Sequence, residues 1–277
     1  LPPIGRPEPA PPSRGAGGVN PRTPNPKPSM KQFLRSILPK DLLQQLSFFR
    51  DYSLFPERYK GKFATISYAQ EGEDILLKRI FDMRKKYRGF FVDVGAHHPY
   101  RFSNTYLFYQ KGWSGINIDA MPDSMKAFKK VRPRDINLEI PISDRKQTLT
   151  YYAFSEPALN GFSKELSEKR TGLEHLKLLF TKEIETFTLE EILDQHLPTN
   201  QSIDFLSVDV EGLDFEVIRS INLGKYTPKV ILVEVLKDSL STIDQNPMLA
   251  YLEAHGYALS AKTVNTAFFL HKDFEVI

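Results

Sequence analysis

Apolar residues recur along this chain with two periods, and the two alternate in a regular order. Phe90-Phe91-Val92-Asp93-Val94, Gly115-Ile116-Asn117-Ile118, Ile136 to Ile140, Phe205-Leu206-Ser207-Val208 and Val230 to Val235 are short runs of aromatic and β-branched residues. Their length and composition predict strands buried on both faces. Between them the spacing turns helical. Ser67 to Asp74 opens a helix with capping and acidic first-turn residues (Ser67, Glu71, Asp74), and Ile75, Leu76, Ile80 and Phe81 are its expected buried face. Ser103 to Gln110 is helix-compatible, Pro122 opens the next helix, and Phe215 to Ile221 and Met248 to His255 read as two more. Thr188 caps a short helix through Leu193, with Glu191 three residues on. Two alternating runs, Tyr257 to Val264 and Ala267 to His271, joined by Asn265-Thr266, predict a terminal antiparallel hairpin. Strands alternating with helices and closed by a hairpin imply an α/β fold, doubly wound around a mainly parallel sheet with one antiparallel edge strand.

Two stretches fall outside this alternation. Gln147 to Phe154 alternates enough for a further strand, in an insertion or at an edge. Residues 155 to 182 are polar and helix-prone, the pattern of a lid or substrate loop.

The N-terminal part has a different composition. Residues 1–29 hold ten of the twenty prolines and almost no large apolar side chains, so they read as a disordered linker or expression remnant. Residues 30–66 read as a helical extension. Phe33, Leu34, Ile37 and Leu38, then Leu42, Leu43, Leu46 and Phe49, form two amphipathic helices broken at Pro39. Packing against the main domain or a second subunit, hence a homo-oligomer, is their expected use. Shallow membrane association is the other, because Lys31, Arg35 and Lys40 flank the apolar face. Residues 67–277 are the expected catalytic domain.

Charge and cysteine content narrow the chemistry. The net charge of +3 is diffuse, so no nucleic-acid partner is expected. With no cysteine in the chain there is no thiol nucleophile, no Cys-based zinc site and no disulfide. No apolar run approaches the ~18 residues of a membrane span and no signal-peptide pattern occurs, so a cytoplasmic protein is expected.

The informative recurrence is acidic. The predicted strands end in Asp93, Asp119, Asp209 with Glu211, and Glu234, and the third runs out into Ser143-Asp144. Carboxyl ends of parallel strands converge on one edge, so these acids should share a crevice. Clustered carboxylates need a ligand's hydroxyls, amines or a cation. Gly95 lets backbone approach a ligand closely. About 26 residues separate Asp93 from Asp119, near the spacing between a first-strand nucleotide turn and a ribose-binding acid.

Four motifs in order carry a resemblance: Ser67-Tyr68-Ala69-Gln70-Glu71-Gly72-Glu73-Asp74, Phe91-Val92-Asp93-Val94-Gly95-Ala96-His97-His98, Gly115-Ile116-Asn117-Ile118-Asp119-Ala120-Met121-Pro122, and Ile203 to Gly212. From Ser67 to its C-terminus the chain resembles the FkbM family of S-adenosylmethionine-dependent methyltransferases. The resemblance implies a class I, Rossmann-like methyltransferase fold with a seven-stranded sheet. It also implies O-methyl transfer to a hydroxyl of a sugar, glycan or natural product. Asp93, Gly95 and Ala96 would hold the methionine end of the cofactor, assisted by Gln70 and by Asn104 and Thr105. Asp119 would accept from the ribose hydroxyls, and Ser143 and Asp144 would face adenine. His97-His98-Pro99 replaces the more open, glycine-rich turn of commoner class I enzymes.

His97, Asp209 and Glu211 are the candidate catalytic bases, and the same three are a candidate Mg²⁺ set. His98, Asn160 and Glu234 are the candidates for touching the acceptor. Tyr151, Tyr152 and Phe162, on or beside the lid, are placed to stack on a sugar. Two other readings remain open from the residues alone. One is a NAD-dependent oxidoreductase, although G-x-G-x-x-G spacing is missing after Gly95. The other is a non-catalytic interaction module of the same fold.

Overall fold

The apolar runs settle into parallel strands in the computed structural model, which describes residues 64–81, 87–173, 175–236 and 238–275. Strands β1 (Phe90–Val94), β2 (Ser114–Asp119), β3 (Ile136–Glu139), β6 (Phe205–Val208) and β7 (Val230–Glu234) pair in parallel. With β8 (Tyr257–Lys262) and β9 (Thr266–His271) they make one seven-stranded sheet in the order β3-β2-β1-β6-β7-β9-β8. The reversed strand is not at the edge as expected. β9 lies inside, antiparallel to both β7 and β8. Ala267, Phe268 and Phe269 explain the placement, since three consecutive buried residues need cover on both faces.

Strand parity sorts the core into two layers. Val92, Leu206, Ile231 and Phe269 face one side, where α5 (Leu189–His196), α6 (Asp214–Arg219) and α7 (Pro247–Ala254) contribute Ile192, Val217 and Leu252. Phe91, Phe205, Leu232 and Phe268 face the other, against Leu77 and Phe81 of α1 (Glu73–Phe81) and Phe108 of α2 (Tyr106–Gln110). Full burial of each such side chain contributes about 1.5–3 kcal/mol. Helix α3 (Ser124–Val131) packs Met125 and Phe128 with Ala96.

Helix α1 departs from its expected face. It begins only at Glu73 and buries Glu73, Asp74, Leu77 and Phe81, while Ile75, Leu76 and Ile80 are half-buried. The two acids turn inward because they have donors there. Ser67 Oγ and the Tyr68 N–H donate to Asp74 at 2.6 and 2.8 Å. Thr263 and Thr266 hydroxyls donate to Glu73 at 3.4 and 3.3 Å. The expected capping box at Thr188 and Glu191 is present.

The lid stretch holds more order than its polarity suggested. A 3₁₀ turn (Pro157–Leu159) and α4 (Lys164–Thr171) lead into β5 (Leu178–Thr186), which pairs antiparallel with β4 (Gln147–Phe154) in a separate two-stranded sheet. β5 has no alternation to read because only Thr186 is buried. By its contacts the chain divides into Leu1–Ala64 and Thr65–Ile277. The linker expected over 1–29 and the helices expected between Met30 and Phe55 lie outside the described residues.

Candidate active site

The site begins at the turn leaving β1. Gly95 has φ +83°, and a Cβ there would lie 1.7 Å from the Asp209 carbonyl oxygen. Only glycine fits, because the exits of β1 and β6 touch at this point. The Gly95 and Ala96 N–H groups donate to the Ile118 carbonyl at 2.9 and 3.0 Å, tying the same turn to β2. His97 follows in the left-handed region, φ +53°.

Asp119, the last residue of β2, is gripped from both sides. Its Oδ2 accepts from the His97 N–H and its Oδ1 from the Met121 N–H, both at 2.7 Å. Burial pushes its carboxyl up to about 6, against the pull of those two N–H groups. Each oxygen keeps a lone pair for a further donor.

Two adjoining hollows open over these strand ends, roughly 560 and 1050 Å³ with the solvent at their mouths included. The first has an apolar wall of Ile118, Met121, Ile140, Ile142, Tyr151 and Phe162, with Asp119 and Asn160 as polar groups. The second is polar: Gln70, Arg101, Glu156, Arg170, Glu234 and Asn265 line it, with Phe102 beside them. Gly95, His97, Asp209 and Glu211 border both.

Between the hollows lies the acidic group. Asp209, Glu211 and Glu234 bring carboxylate oxygens within 4.8 Å of one another, the one such group among the described residues that has metal-binding geometry. Asp209 keeps an exposed edge, and desolvation with the negative charges of Asp214, Glu211 and Asp93 raises its carboxyl above its ordinary value. Glu234 is pushed up to about 10, by burial and then by Asp209, Asp214 and Glu211, and its Oε2 has no hydrogen-bond partner. Glu211, at φ +56°, is paired with Arg170 of α4. That guanidinium also donates to the Leu159 carbonyl at 2.8 Å, so one residue joins two parts of the lid to the β6 exit.

His97 is a weaker base than an ordinary imidazole. Burial, then Arg101 and His98, lower it to about 4, and its buried Nε2 has no partner. It is therefore neutral at pH 7, and it stands outside the metal-binding group, where Glu234 takes the place expected for it.

Several expected site residues are elsewhere. Asp93 shares the parity of Phe91, so its side chain points into the sheet's face and not into the hollows. It lies in register with Asn117 and Ser207, in a polar row across β2, β1 and β6. Thr105 Oγ1 donates to Asp93 at 2.8 Å, the fully buried Arg132 donates to Thr105 at 2.9 Å, and Asn104 donates to Ser207 at 3.2 Å. Asp93, Asn104 and Thr105 thus brace the turn from beneath. Ala96 is spent on packing against α3. His98 turns back on its own loop, its Nδ1 accepting from the Arg101 N–H at 3.1 Å. Ser143 is buried, and Asp144 accepts from Gln147 Nε2 at 3.0 Å, so neither lines a hollow. Ile140 and Ile142, from the same β3 exit, occupy the wall expected of them. Asn160 is on the first hollow, its Oδ1 held by the Phe154 N–H at 2.7 Å.

Arg101, Phe102, Glu156, Arg170 and Asn265 were not foreseen. Asn265, in the β8–β9 turn, is held by Glu71, which accepts from its N–H and its Nδ2 at 2.8 Å each. The motif around Glu71 was the available signal for that clamp, but not for its partner.

The profile of the Methyltransferase FkbM domain matches residues 93–259, more than half of the chain. The crystal structure of methyltransferase FkbM from Methylobacillus flagellatus KT aligns with a TM-score of 0.43 at 10% identity, covering 87% of this chain and 57% of that one. The chain thus spans less than two thirds of that protein. No curated protein matches it.

Proposed function

The chain belongs to the FkbM methyltransferase family, and from that premise we propose that it moves a methyl group from S-adenosylmethionine to a hydroxyl of a sugar, glycan or natural product. The observation that supports this reading is the pair of hollows meeting at Gly95 and Asp209. The first suits a nucleoside. An adenine ring fits an apolar wall of Ile140, Ile142, Met121 and Phe162, and ribose hydroxyls can donate to the free lone pairs of Asp119. The second, with carboxylates, amides and guanidinium groups, suits a polyhydroxylated acceptor and the amino-acid end of the donor.

The donor supplies an electrophilic methyl on a sulfonium. With the donor bound, the acceptor oxygen would take that methyl as the C–S bond opens toward sulfur. The protein's part is to align the two and to take the hydroxyl proton. Asp209 is the base of this reading, because its carboxylate stands where the two hollows meet and desolvation and its acidic neighbours raise its affinity for a proton. His97, neutral and bordering both hollows, orients the acceptor. Glu211 is committed to Arg170 and holds the lid.

A second reading is Mg²⁺, with Asp209 among its ligands and not the base. Three carboxylates within 4.8 Å are hard oxygen donors of the type it takes, and the partnerless Oε2 of Glu234 favours it. Calorimetry with S-adenosylmethionine and with NADH tests the donor: binding of the first alone is expected, and binding of the second alone or of neither would overturn the reading. Labelled S-adenosylmethionine with fractionated glycans and lipids then identifies the acceptor, and a chelator control reports on Mg²⁺.

A further inference from the structure

The first hollow lacks the groups expected to read a base in it. Asp144 is turned onto Gln147 and Ser143 is buried, so from the β3 exit the wall receives Ile140 and Ile142. An apolar slot can hold an adenine ring, but telling it from another flat ring takes a polar group at the ring's edge. Asp119 does not supply that group in this reading, since an ionised carboxylate only accepts and its free lone pairs suit ribose hydroxyls. His97, Asp209 and Glu211 stand on the border with the second hollow. Asn160 and Tyr151 remain, and both line the first hollow alone.

The fold itself holds the Asn160 amide in one orientation. Asn160 closes the 3₁₀ turn, its N–H donating to the Pro157 carbonyl at 3.2 Å. Its Oδ1 accepts from the Phe154 N–H of β4 at 2.7 Å, and a donor of that kind can be met only by the oxygen end of the amide. Nδ2 is thereby directed onto Met121 Sδ, at 3.5 Å. A thioether is a weak acceptor, so this contact is readily exchanged for a better one. Tyr151, which the Asp119 charge reaches, shares a hydrogen bond with the same amide. Met121 also donates its N–H to Asp119, so one residue touches both the Asp119 carboxylate and the Asn160 amide.

We infer that Asn160 is the lid residue that reads the donor's base, its Nδ2 donating to a ring nitrogen of adenine. The inference rests on the donor reading above, and it moves Asn160 from the acceptor, where its place in the lid had put it, to the donor. Complementarity selects the ligand atom. The N1, N3 and N7 nitrogens of adenine accept and carry no proton, while Asn160 presents a donor whose acceptor end is already used. Phe162, set edge-on against Tyr151 with ring centres 5.2 Å apart, stands in the same wall to meet the ring.

The probe is S-adenosylhomocysteine, the donor without its methyl group, with its 1-deaza, 3-deaza and 7-deaza analogues, each carrying C–H in place of one ring nitrogen. Calorimetry of the wild-type full chain should show a loss of about tenfold for one analogue and little for the others. Asn160→Asp keeps the oxygen that the Phe154 N–H needs and turns the other end from donor to acceptor. At pH 8 it should bind S-adenosylhomocysteine roughly 10–100-fold more weakly with its thermal transition kept, and should not distinguish that analogue from the parent. Asp144→Asn should bind as the wild type does. Wild-type affinity in N160D overturns the inference and leaves the donor reading standing, as does an equal penalty for the same analogue in both proteins. A loss at Asp144→Asn matching that at N160D returns the base to the β3 exit. A wild-type chain that binds no S-adenosylhomocysteine overturns the donor reading itself, and this inference with it.

Discussion

Asp119 and Asp209 are both carboxylates at strand ends, yet their surroundings separate their tasks. Asp119 has two N–H donors on it and a carboxyl at about 6, so it is charged at pH 7 and loses that charge as pH falls through 6. A charged acceptor binds ribose hydroxyls more strongly than a neutral one, by about 1.5–3 kcal/mol in typical cases. The affinity of the wild-type chain for S-adenosylmethionine, followed by calorimetry, should therefore weaken below pH 6. Asp119→Asn should bind roughly 10–100-fold more weakly at pH 7.5 and show no such inflection. At Asp209 the effect should be on rate. Asp209→Asn is expected to lower kcat by roughly 10²–10⁴-fold with donor affinity nearly unchanged. His97, at about 4, is neutral across the working range, so the rate profile should lack the usual histidine inflection near 6.5. A profile that rises through 6.5 in the wild type and not in His97→Gln would return the base role to His97.

Among the elements, the lid is tied to the β6 exit by Arg170. It spans Glu211 and the Leu159 carbonyl, while Gly161 and Gly212 permit the close approach that makes this span short. A Cβ on Gly161 would come 3.1 Å from the Glu211 Cβ, and one on Gly212 2.8 Å from Leu166 Cδ1. Arg170→Met should therefore leave the seven-stranded sheet intact but free α4 and the 3₁₀ turn. Limited proteolysis should cut between residues 155 and 177 several-fold faster than in the wild type, with the thermal transition shifted by only a few degrees. Equal cutting of both chains would show that α4 is held by something else.

The same elements show what could be read beforehand and what could not. Phe90 to Val94, Phe205 to Val208 and Val230 to Glu234 were legible because a strand buried on both faces is apolar at nearly every position. The meeting of Gly95, Asp119, Asp209, Glu211 and Glu234 followed from parallel strands ending on one edge. Asp93 was misplaced because a residue's position at a strand end says nothing of which face it takes, and parity with Phe91 turns it inward. Arg170 and Asn265 were invisible because a lid helix and a hairpin turn bring them, and no local period records that approach.

For the molecule as a whole, crowded acids at one edge set how stability depends on pH. Carboxyls whose native values are raised bind protons in the fold that the unfolded chain has already released, so stability falls with rising pH between the two values. Asp119 at about 6 and Asp214 at about 7 act this way at lower pH, and Glu234 at about 10 acts across the whole neutral range. His97 opposes them. Lowered to about 4, it makes stability rise with pH until the unfolded imidazole loses its proton near 6.5, and then it contributes nothing further. Glu156, Glu191 and Asp194 are lowered by partners, so their contribution is complete above the ordinary carboxylate range and is lost only in acid. Above pH 7 the slope therefore belongs to Glu234. The melting temperature without ligand should fall steadily from pH 7 to 9.5. Glu234→Gln keeps the shape and removes the proton, so it should melt roughly 3–6 °C higher than the wild type at pH 9, and by less than half that margin at pH 6. A gain that is the same at both pH values would mean that Gln acts through packing, and that Glu234 ionises in the fold much as it does in the open chain.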